Sequence, residues 1–412
     1  MNVLFVCHRF PFPPKRGGKI RPFNIIRHLH AAGHAVTVAS LARSDEEAEE
    51  GRGLEAYCEE YLMGRVREPA QTLRMVGRLA TSSPSSMGYF YSPELANGIR
   101  KKLSERKFDL IFVHCSSVAP YVAGVDGPVK MLDFGDMDSE KWLTYSRFRK
   151  FPLSAGYWLE GRKLQRAEKR LARQFDMCTC TTRAEYETLE SFATGVPADW
   201  FPNGVDAEFF APDDSAYDPN LICFVGRMDY YPNQQAVLDF CRDVLPLIQA
   251  ARPGVRLVVV GADPSAQIRQ LSELPGVDVT GSVPDVRPWV RKAALSVAPL
   301  SIARGTQNKI LESMAMGVPV VASREASGGI DAVPETHFLA ASTASQYRDA
   351  ILRMLDAPQE RQKFSEAGRQ RVLSHHNWDA SLRKLETLIE DCMSRCRAPA
   401  GPDGRSRIVG DA

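Results

Sequence analysis

The strongest constraint in the chain is an alternation of short apolar runs with helical stretches, and it occurs twice. In the first half, Val3–Cys7, Ala35–Ser40, Phe108–His114, Val129–Asp133 and Met177–Thr182 are too short for buried helices and read as strands. Between them lie stretches such as Lys19–Ala32, with Ile20, Phe23, Ile26 and Leu29 at helical spacing, and an acidic segment Asp45–Glu60 that reads as a solvated helix. Runs that are apolar on both faces belong to a parallel sheet covered by helices on either side. The pattern restarts after a turn-rich connector, PNGVDAEFFAPDD, near residue 200. Strands then fall at Leu221–Val225, Arg256–Gly261, Val277–Thr280, Leu295–Pro299 and Val318–Ala322. Helices fall at 233–250, 267–273, 286–293, 309–316 and 344–355. The fold class is therefore α/β, with two Rossmann-like domains, at 1–200 and 201–377. An amphipathic segment at 378–396 is placed to cross back onto the first domain, and a Pro/Gly-rich tail at 397–412 reads as disordered. Ligands of such sheets bind outside the carboxyl ends of the strands, so the expected site is the cleft between the two domains.

At 412 residues and 44% hydrophobic, the chain has enough apolar surface for two cores. Lysine plus arginine total 52 against 50 acidic residues, a net charge of +2 that gives no general drive toward nucleic acid. The nine cysteines are odd in number and several sit inside apolar runs, as in VLFVC and LICFVG, which points to a reducing compartment. Cys178-x-Cys180 and Cys392-x3-Cys396 lack the second ligand pair of a zinc site. The first apolar run ends at Cys7 before His8 and Arg9, too short for a secretory leader, and no stretch is long enough to span a membrane. A cytoplasmic location, including the cytoplasmic face of the inner membrane, is the expectation.

The most informative segment is APLSIARGTQNKILESMAMGVPVVAS, residues 298–323. A strand ends at Pro299, a polar loop 303–308 follows, and a helix starts near a capping Asn308. Unpaired N–H groups and a partial positive charge at a helix start favour a diphosphate. Lys309 adds a full charge, and Glu312 lies one turn further, where its carboxylate can accept from two sugar hydroxyls. This segment resembles the KxLEAMAxGxPVV signature of the retaining glycosyltransferases of family four, which have the GT-B fold. Pro202–Asp206 is similar to their inter-domain NGVD turn, and Phe224–Met228 (FVGRM) resembles the strand-to-loop segment that opens their donor domain. Gly281–Asp285 (GSVPD) is similar to a short loop beside their nucleotide base. Segment 132–142 (LDFGDMDSEKW) resembles the acceptor side of sugar transferases of bacterial exopolysaccharide and exosortase systems.

The resemblance implies roles residue by residue. Glu312 matches the second glutamate of the family's E-x7-E motif and would hold the nucleotide ribose. The first glutamate falls at residue 304, which is Arg304. That departure leaves three roles open for Arg304: a phosphate contact, a contact to an acidic sugar, or a solvent-facing cation. Arg227 matches the arginine that contacts the diphosphate. The lysine that usually follows is missing, with Pro232 and Asn233 in its region, so Lys309 or Arg304 is expected to supply the charge. Val283, Gly305, Thr306, Asn308, Ile310 and Leu311 complete the expected donor-binding set. Gly17 and Gly18 follow the first strand as a loop that lets backbone approach the donor diphosphate and the acceptor. No G-x-G-x-x-G is present, which disfavours a dinucleotide dehydrogenase.

His114, at a strand end, matches a family histidine near the reacting centre, and Asp133, with Asp136 and Asp138, is placed to contact the acceptor or act on its hydroxyl. The expected catalytic set is His114, Asp133, Arg227 and Lys309. Asp136-Met137-Asp138 has the letters of a metal motif without a chelating context, so no metal and no cofactor are expected. On a helical wheel of 157–175, Arg162, Lys163, Arg166, Lys169, Arg170 and Arg173 form one face opposite Tyr157, Leu164, Ala167, Leu171 and Phe175. With Arg147, Arg149, Lys150, Phe148 and Phe151 just before it, 147–173 is expected to meet anionic lipid. No stacking motif supports a nucleic-acid partner. The resulting expectation is a retaining transferase moving a sugar from a nucleotide-sugar to a glycan on a polyprenyl-type lipid, in exopolysaccharide synthesis. The alternatives are a nucleotide-sugar epimerase or hydrolase, with Asp133 and Glu140 for chemistry at C2, and a non-catalytic sugar-nucleotide-binding scaffold.

Overall fold

A computed structural model describes residues 1–14, 17–66 and 68–397. The expected tail from residue 398 onward lies outside the described residues. The first lobe is a seven-stranded sheet of β1 (Asn2–Cys7), β2 (Ala35–Ala42), β3 (Glu60–Arg65), β4 (Leu110–His114), β5 (Val129–Gly135), β6 (Met177–Cys180) and β7 (Ala198–Trp200). The second is a six-stranded sheet of β8 (Asp218–Val225), β9 (Arg256–Val260), β10 (Val277–Gly281), β11 (Ala293–Ala298), β12 (Val320–Ser323) and β13 (Leu339–Ala341). Their orders are 3-2-1-4-5-6-7 and 10-9-8-11-12-13, and the neighbouring strands pair in parallel. The expected pair of Rossmann-like parallel sheets is what forms.

Side-chain alternation builds each core on both faces of a sheet. Along β1, Val3, Phe5 and Cys7 join one apolar cluster while Leu4 and Val6 join the other. Along β8, Ile222 and Phe224 face one cluster, and Leu221 and Cys223 the opposite one. All nine cysteines are free thiols, eight of them buried as small apolar groups.

Two helical expectations are corrected. Only Asp45–Glu50 of the acidic segment is α-helical; Gly51–Tyr57 tightens into a 3-10 turn and Glu60 already begins β3. Gly51, where the α-helix ends, lies so close to the Phe10 ring that a Cβ there would be 2.5 Å from it. The long helix expected over 233–250 is Tyr231–Asp239, a π turn over Phe240–Val244, and Leu245–Ala251. Pro246 has no N–H for the ladder, and the wide turn lies just before it.

The helix Trp378–Arg397 buries Trp378, Leu382, Leu385, Ile389 and Cys392, at helical spacing, in the same cluster as Val3 and Phe5 of the first lobe. The chain therefore crosses between lobes twice, and the crossings touch. The Val205 N–H donates to the His376 carbonyl at 2.7 Å, and a Cβ on Gly204 would lie 2.5 Å from the Trp378 nitrogen.

Candidate active site between the two lobes

Each sheet changes direction beside its first strand, between β1 and β4 and between β8 and β11. Those switch points leave crevices at the strand carboxyl ends. In the first lobe the crevice holds His8, just after β1, and His114, at the end of β4, with ring centroids 5.9 Å apart. Burial, then the neighbouring His114, drives the His8 pKa well below the ordinary histidine value, so its ring is neutral. His114 Nδ1 lies 2.7 Å from Asp133 Oδ2, and against that ionised carboxylate the ring donates from Nδ1.

Asp133 does not take the role expected of it. It is fully buried, and Arg21 grips it bidentately at 2.8 and 2.9 Å. Thr179 adds a hydroxyl bond at 3.0 Å. Burial opposes its charge, but Arg21 and His114 outweigh burial and hold its carboxyl well below the usual range. With its oxygens so engaged, Asp133 orients His114 and does not reach an acceptor hydroxyl. Arg21 is the residue the sequence reading missed. It is 2% exposed, donates to the Phe201 carbonyl and Asn203 Oδ1 at 3.0 Å each, and stacks 3.6 Å over the Phe201 ring. One guanidinium thus ties the histidine site to the chain entering the second lobe. Its only sequence signal was a cation inside the apolar stretch 20–26.

In the second lobe the helix starting at the donor signature runs Asn308–Ala315, capped by Gln307 without a side-chain bond. Asn308 is the first helical residue rather than the cap, and its Oδ1, like Thr306 Oγ1, is buried without a partner. Two unanswered polar atoms at a helix start are suited to a ligand. The Lys309 ammonium donates to Asn233 Oδ1 at 2.6 Å and lies 4.6 Å from the Phe224 ring centre. Asn233 occupies the region of the missing lysine, so the charge returns to that place from a different helix. Gly226, at the end of β8, leaves the room: a Cβ there would lie 2.7 Å from Asn233 Nδ2 and 3.0 Å from Lys309 Nζ. Burial lowers the Lys309 pKa to about 7, with Glu312 opposing, and burial raises Glu312 to about 7, with Lys309 opposing.

Other expected donor residues are placed differently. Arg227 is already paired with Asp229 at 2.6 Å and Asp263 at 2.5 Å. Ile310 and Leu311 are buried core side chains that anchor the helix, although Leu311 also reaches the cavity wall. Val283 packs against the apolar cluster of the outer face. Gly17 and Gly18 form the first turn of the helix Gly17–Ala31 rather than a loop, and a Cβ on Gly17 would meet nothing. Arg304 does not face solvent: its Nε donates to Glu185 Oε1 at 2.9 Å, and Glu140 lies 3.5 Å from its Nη1, both in the first lobe. On the basic helix, Arg162, Arg166, Arg170 and Arg173 are exposed, but Lys163 is buried and donates to the carbonyls of Arg78 and Leu79 at 3.1 and 2.8 Å. A cavity of about 710 Å³ opens between the lobes, lined by Asn24 and Arg27 from one side and Asn308, Leu311 and Glu312 from the other.

Residues 16–209 match the family model Glycosyltransferase Family 4, and residues 219–357 match Glycosyl transferases group 1. The chain is a glycosyltransferase. No curated protein sequence matches it. Among solved structures, the transferase is similar to a sucrose-phosphate synthase from Thermosynechococcus elongatus at 16% identity and a TM-score of 0.71, covering 96% of this chain and 100% of that one. It is also similar to Anabaena HepE in complex with UDP, at 13% identity, TM-score 0.70, with 95% and 100% covered. The third is an α,α-trehalose 6-phosphate synthase from Burkholderia multivorans, at 15% identity, TM-score 0.63, with 96% and 99% covered. At these identities the likeness is one of fold, and the fold is GT-B.

Proposed function

We propose that the transferase moves a sugar, with retention of anomeric configuration, from a nucleotide-sugar to a lipid-linked glycan in exopolysaccharide synthesis. The observation that carries the reading is the cluster of Lys309, Asn233 and Gly226 beside a helix start whose unpartnered Thr306 hydroxyl can donate to a phosphate oxygen, and whose Asn308 Oδ1 can accept from a sugar hydroxyl. As the sugar–phosphate bond breaks, negative charge grows on the departing diphosphate. A preoriented ammonium and backbone amides stabilise that charge without rearranging. Glu312, on the cavity wall, accepts from the ribose. His114, held through Nδ1 by Asp133, is the first-lobe residue assigned to the reacting end. The reading needs no divalent cation, since Lys309 and the amides supply the charge, and turnover should survive a chelator. UDP, which HepE carries, is the first nucleotide to test.

The lipid-linked acceptor is supported by a surface of the first lobe. Phe151 is 83% exposed, and Phe148, Leu153, Trp158 and Leu159 are exposed nearby, with Arg162, Arg166 and Arg170. Through its bonds to Arg78 and Leu79, Lys163 brings in exposed Leu79, which follows the helix Glu68–Gly77 with its exposed Leu73 and Val76. Apolar tips beside arginines suit the headgroup region of an anionic cytoplasmic leaflet. Among the described residues no helix is long and apolar enough to cross a membrane. The epimerase reading loses support because Asp133 is locked by Arg21 and Glu140 lies beside Arg304.

The test is release of nucleoside diphosphate from labelled sugar nucleotides with membrane extract as acceptor. Release that depends on the extract, with an anomerically retained product, supports the proposal. Acceptor-free hydrolysis or an epimerised donor contradicts it, and binding without turnover favours the scaffold.

A further inference from the structure

The residue that departs from the family signature, Arg304, has its partners in the opposite lobe. Glu185, in the helix Arg183–Ser191, has a side chain 2% exposed. One of its oxygens accepts from the Met137 N–H at 2.9 Å and the other from Arg304. Burial raises the Glu185 pKa and Arg304 lowers it, so this carboxylate relies on a cation that belongs to the other lobe. A glutamate at 304 would meet Glu185 and Glu140 head-on.

The same contact fixes the donor loop. Gly305, at φ +64°, lies against the Asp136 carboxylate so closely that a Cβ would collide with it. Asp136 is itself held by the Thr181 hydroxyl at 2.7 Å. On the loop's other side, Gly329 packs against the Gly305 carbonyl. Loop 303–308 is thus clamped between the lobes, and it carries the unpartnered Thr306 and Asn308 oxygens. Glu140 belongs to the helix Asp138–Phe148, which also carries Tyr145. The hydroxyls of Tyr145 and Tyr230 share a bond of 2.9 Å, and Arg149 stacks 3.9 Å over Tyr231 of the second lobe.

We infer that Arg304 is a positioning residue: it latches the donor loop to Glu185 and Glu140 of the first lobe and so holds the lobes closed over the site, while the groups that meet the diphosphate stay within the second lobe. Arg304 then contributes no contact to the donor sugar, and the charge for the diphosphate comes from Lys309. The kinetic part rests on the transferase reading above; the closure part does not.

The experiment compares Arg304→Glu, which sets like charges against Glu185 and Glu140, with Arg304→Lys, which keeps the cation. Small-angle X-ray scattering of the ligand-free chain needs no knowledge of the substrate. Arg304→Glu should expand the radius of gyration, and Arg304→Lys should stay near wild type. With donor, Arg304→Glu should lower kcat at least about tenfold, as reversal of one partner in a largely desolvated charge pair requires. Its affinity for UDP, the probe, should change less than about threefold, because the latch does not touch the nucleotide. Arg304→Lys should recover most of the turnover. Unchanged scattering for Arg304→Glu would overturn the latch whatever the substrate proves to be. A fall in UDP affinity as large as the fall in kcat would make Arg304 a donor ligand instead. If Arg304→Glu does not fold, Glu185→Gln replaces it: it keeps an acceptor for Met137 and removes only the charge, with the same two outcomes.

Discussion

Lys309→Met is expected to make the free protein more stable and the enzyme inactive. An enclosed ammonium whose one hydrogen-bond partner among the described residues is the neutral Asn233 is costly to bury, and burial lowers its pKa from 10.5 to about 7. The sign follows from linkage. Between the two values the unfolded chain holds a proton that the folded chain has released, so stability rises with pH across that window. Below about 7 the whole penalty is present, and above 10.5 it is gone. Over three and a half pH units this amounts to about 4 kcal/mol at pH 7, at 1.36 kcal/mol per unit. That figure is an upper bound, because Glu312 loses an attractive neighbour when the cation is removed. Methionine keeps the length without the charge. Urea denaturation at pH 7 should show the variant stabilised, by up to about 4 kcal/mol, and the gain should fall to roughly half at pH 9 as the wild type loses its penalty. Nucleoside diphosphate binding and turnover should be lost together. A destabilised variant, or a gain that does not shrink between pH 7 and pH 9, would refute the reasoning that this lysine is held at a cost for a ligand.

Asp133→Asn leaves the 2%-exposed Arg21 without its counter-charge and should destabilise the fold by about 3–5 kcal/mol; a loss under about 1 kcal/mol in urea would contradict the buried pair. Because the Asp133 carboxyl is held low, its stability contribution is complete above about pH 4 and drains away in acid, so the variant's acid limb should be flatter than the wild type's. His114→Ala should leave the melting curve within a few degrees of wild type while cutting turnover at least about tenfold, and wild-type turnover would remove it from the reacting centre. Glu312→Ala should weaken nucleoside diphosphate binding at least about tenfold in calorimetry, the loss expected for bonds to a charged group. Gly261→Ala should be destabilised by several kcal/mol, since its Cβ would drive into the Gly226 carbonyl, and a stable variant would show that these strand ends are loosely packed.

The central strands were legible because they are buried on both faces: VLFVC, LIFVH and RLVVV lie between helices and leave no polar side to blur the run. Three strands were missed, β3 (EYLMGR), β7 (ADW) and β13 (LAA), each at a sheet edge. An edge strand has one neighbour, and β3 and β7 are only partly buried, so their composition does not declare them. The positions of Lys309 and Glu312 on a helix opening after a polar loop, and of His114 at a strand end, were readable from local spacing, while their roles came from the family resemblance. Arg21 and Glu185 were not readable. Their partners lie 112 and 119 residues away, and only the folded sheet brings Asp133 under Arg21 and Arg304 onto Glu185. Lys163 shows the same limit: a wheel gives its angle on the helix, but not that Arg78 and Leu79 cover that angle.

Where the diphosphate lands decides whether Lys309 and the helix start form the donor site. A crystal structure of the wild-type chain soaked with UDP tests it most directly. Phosphate oxygens within hydrogen-bond distance of Lys309 Nζ and of the first N–H groups of the helix Asn308–Ala315, with the ribose on Glu312, are the predicted result. A nucleotide ordered elsewhere, with Lys309 still bound only to Asn233, would contradict it.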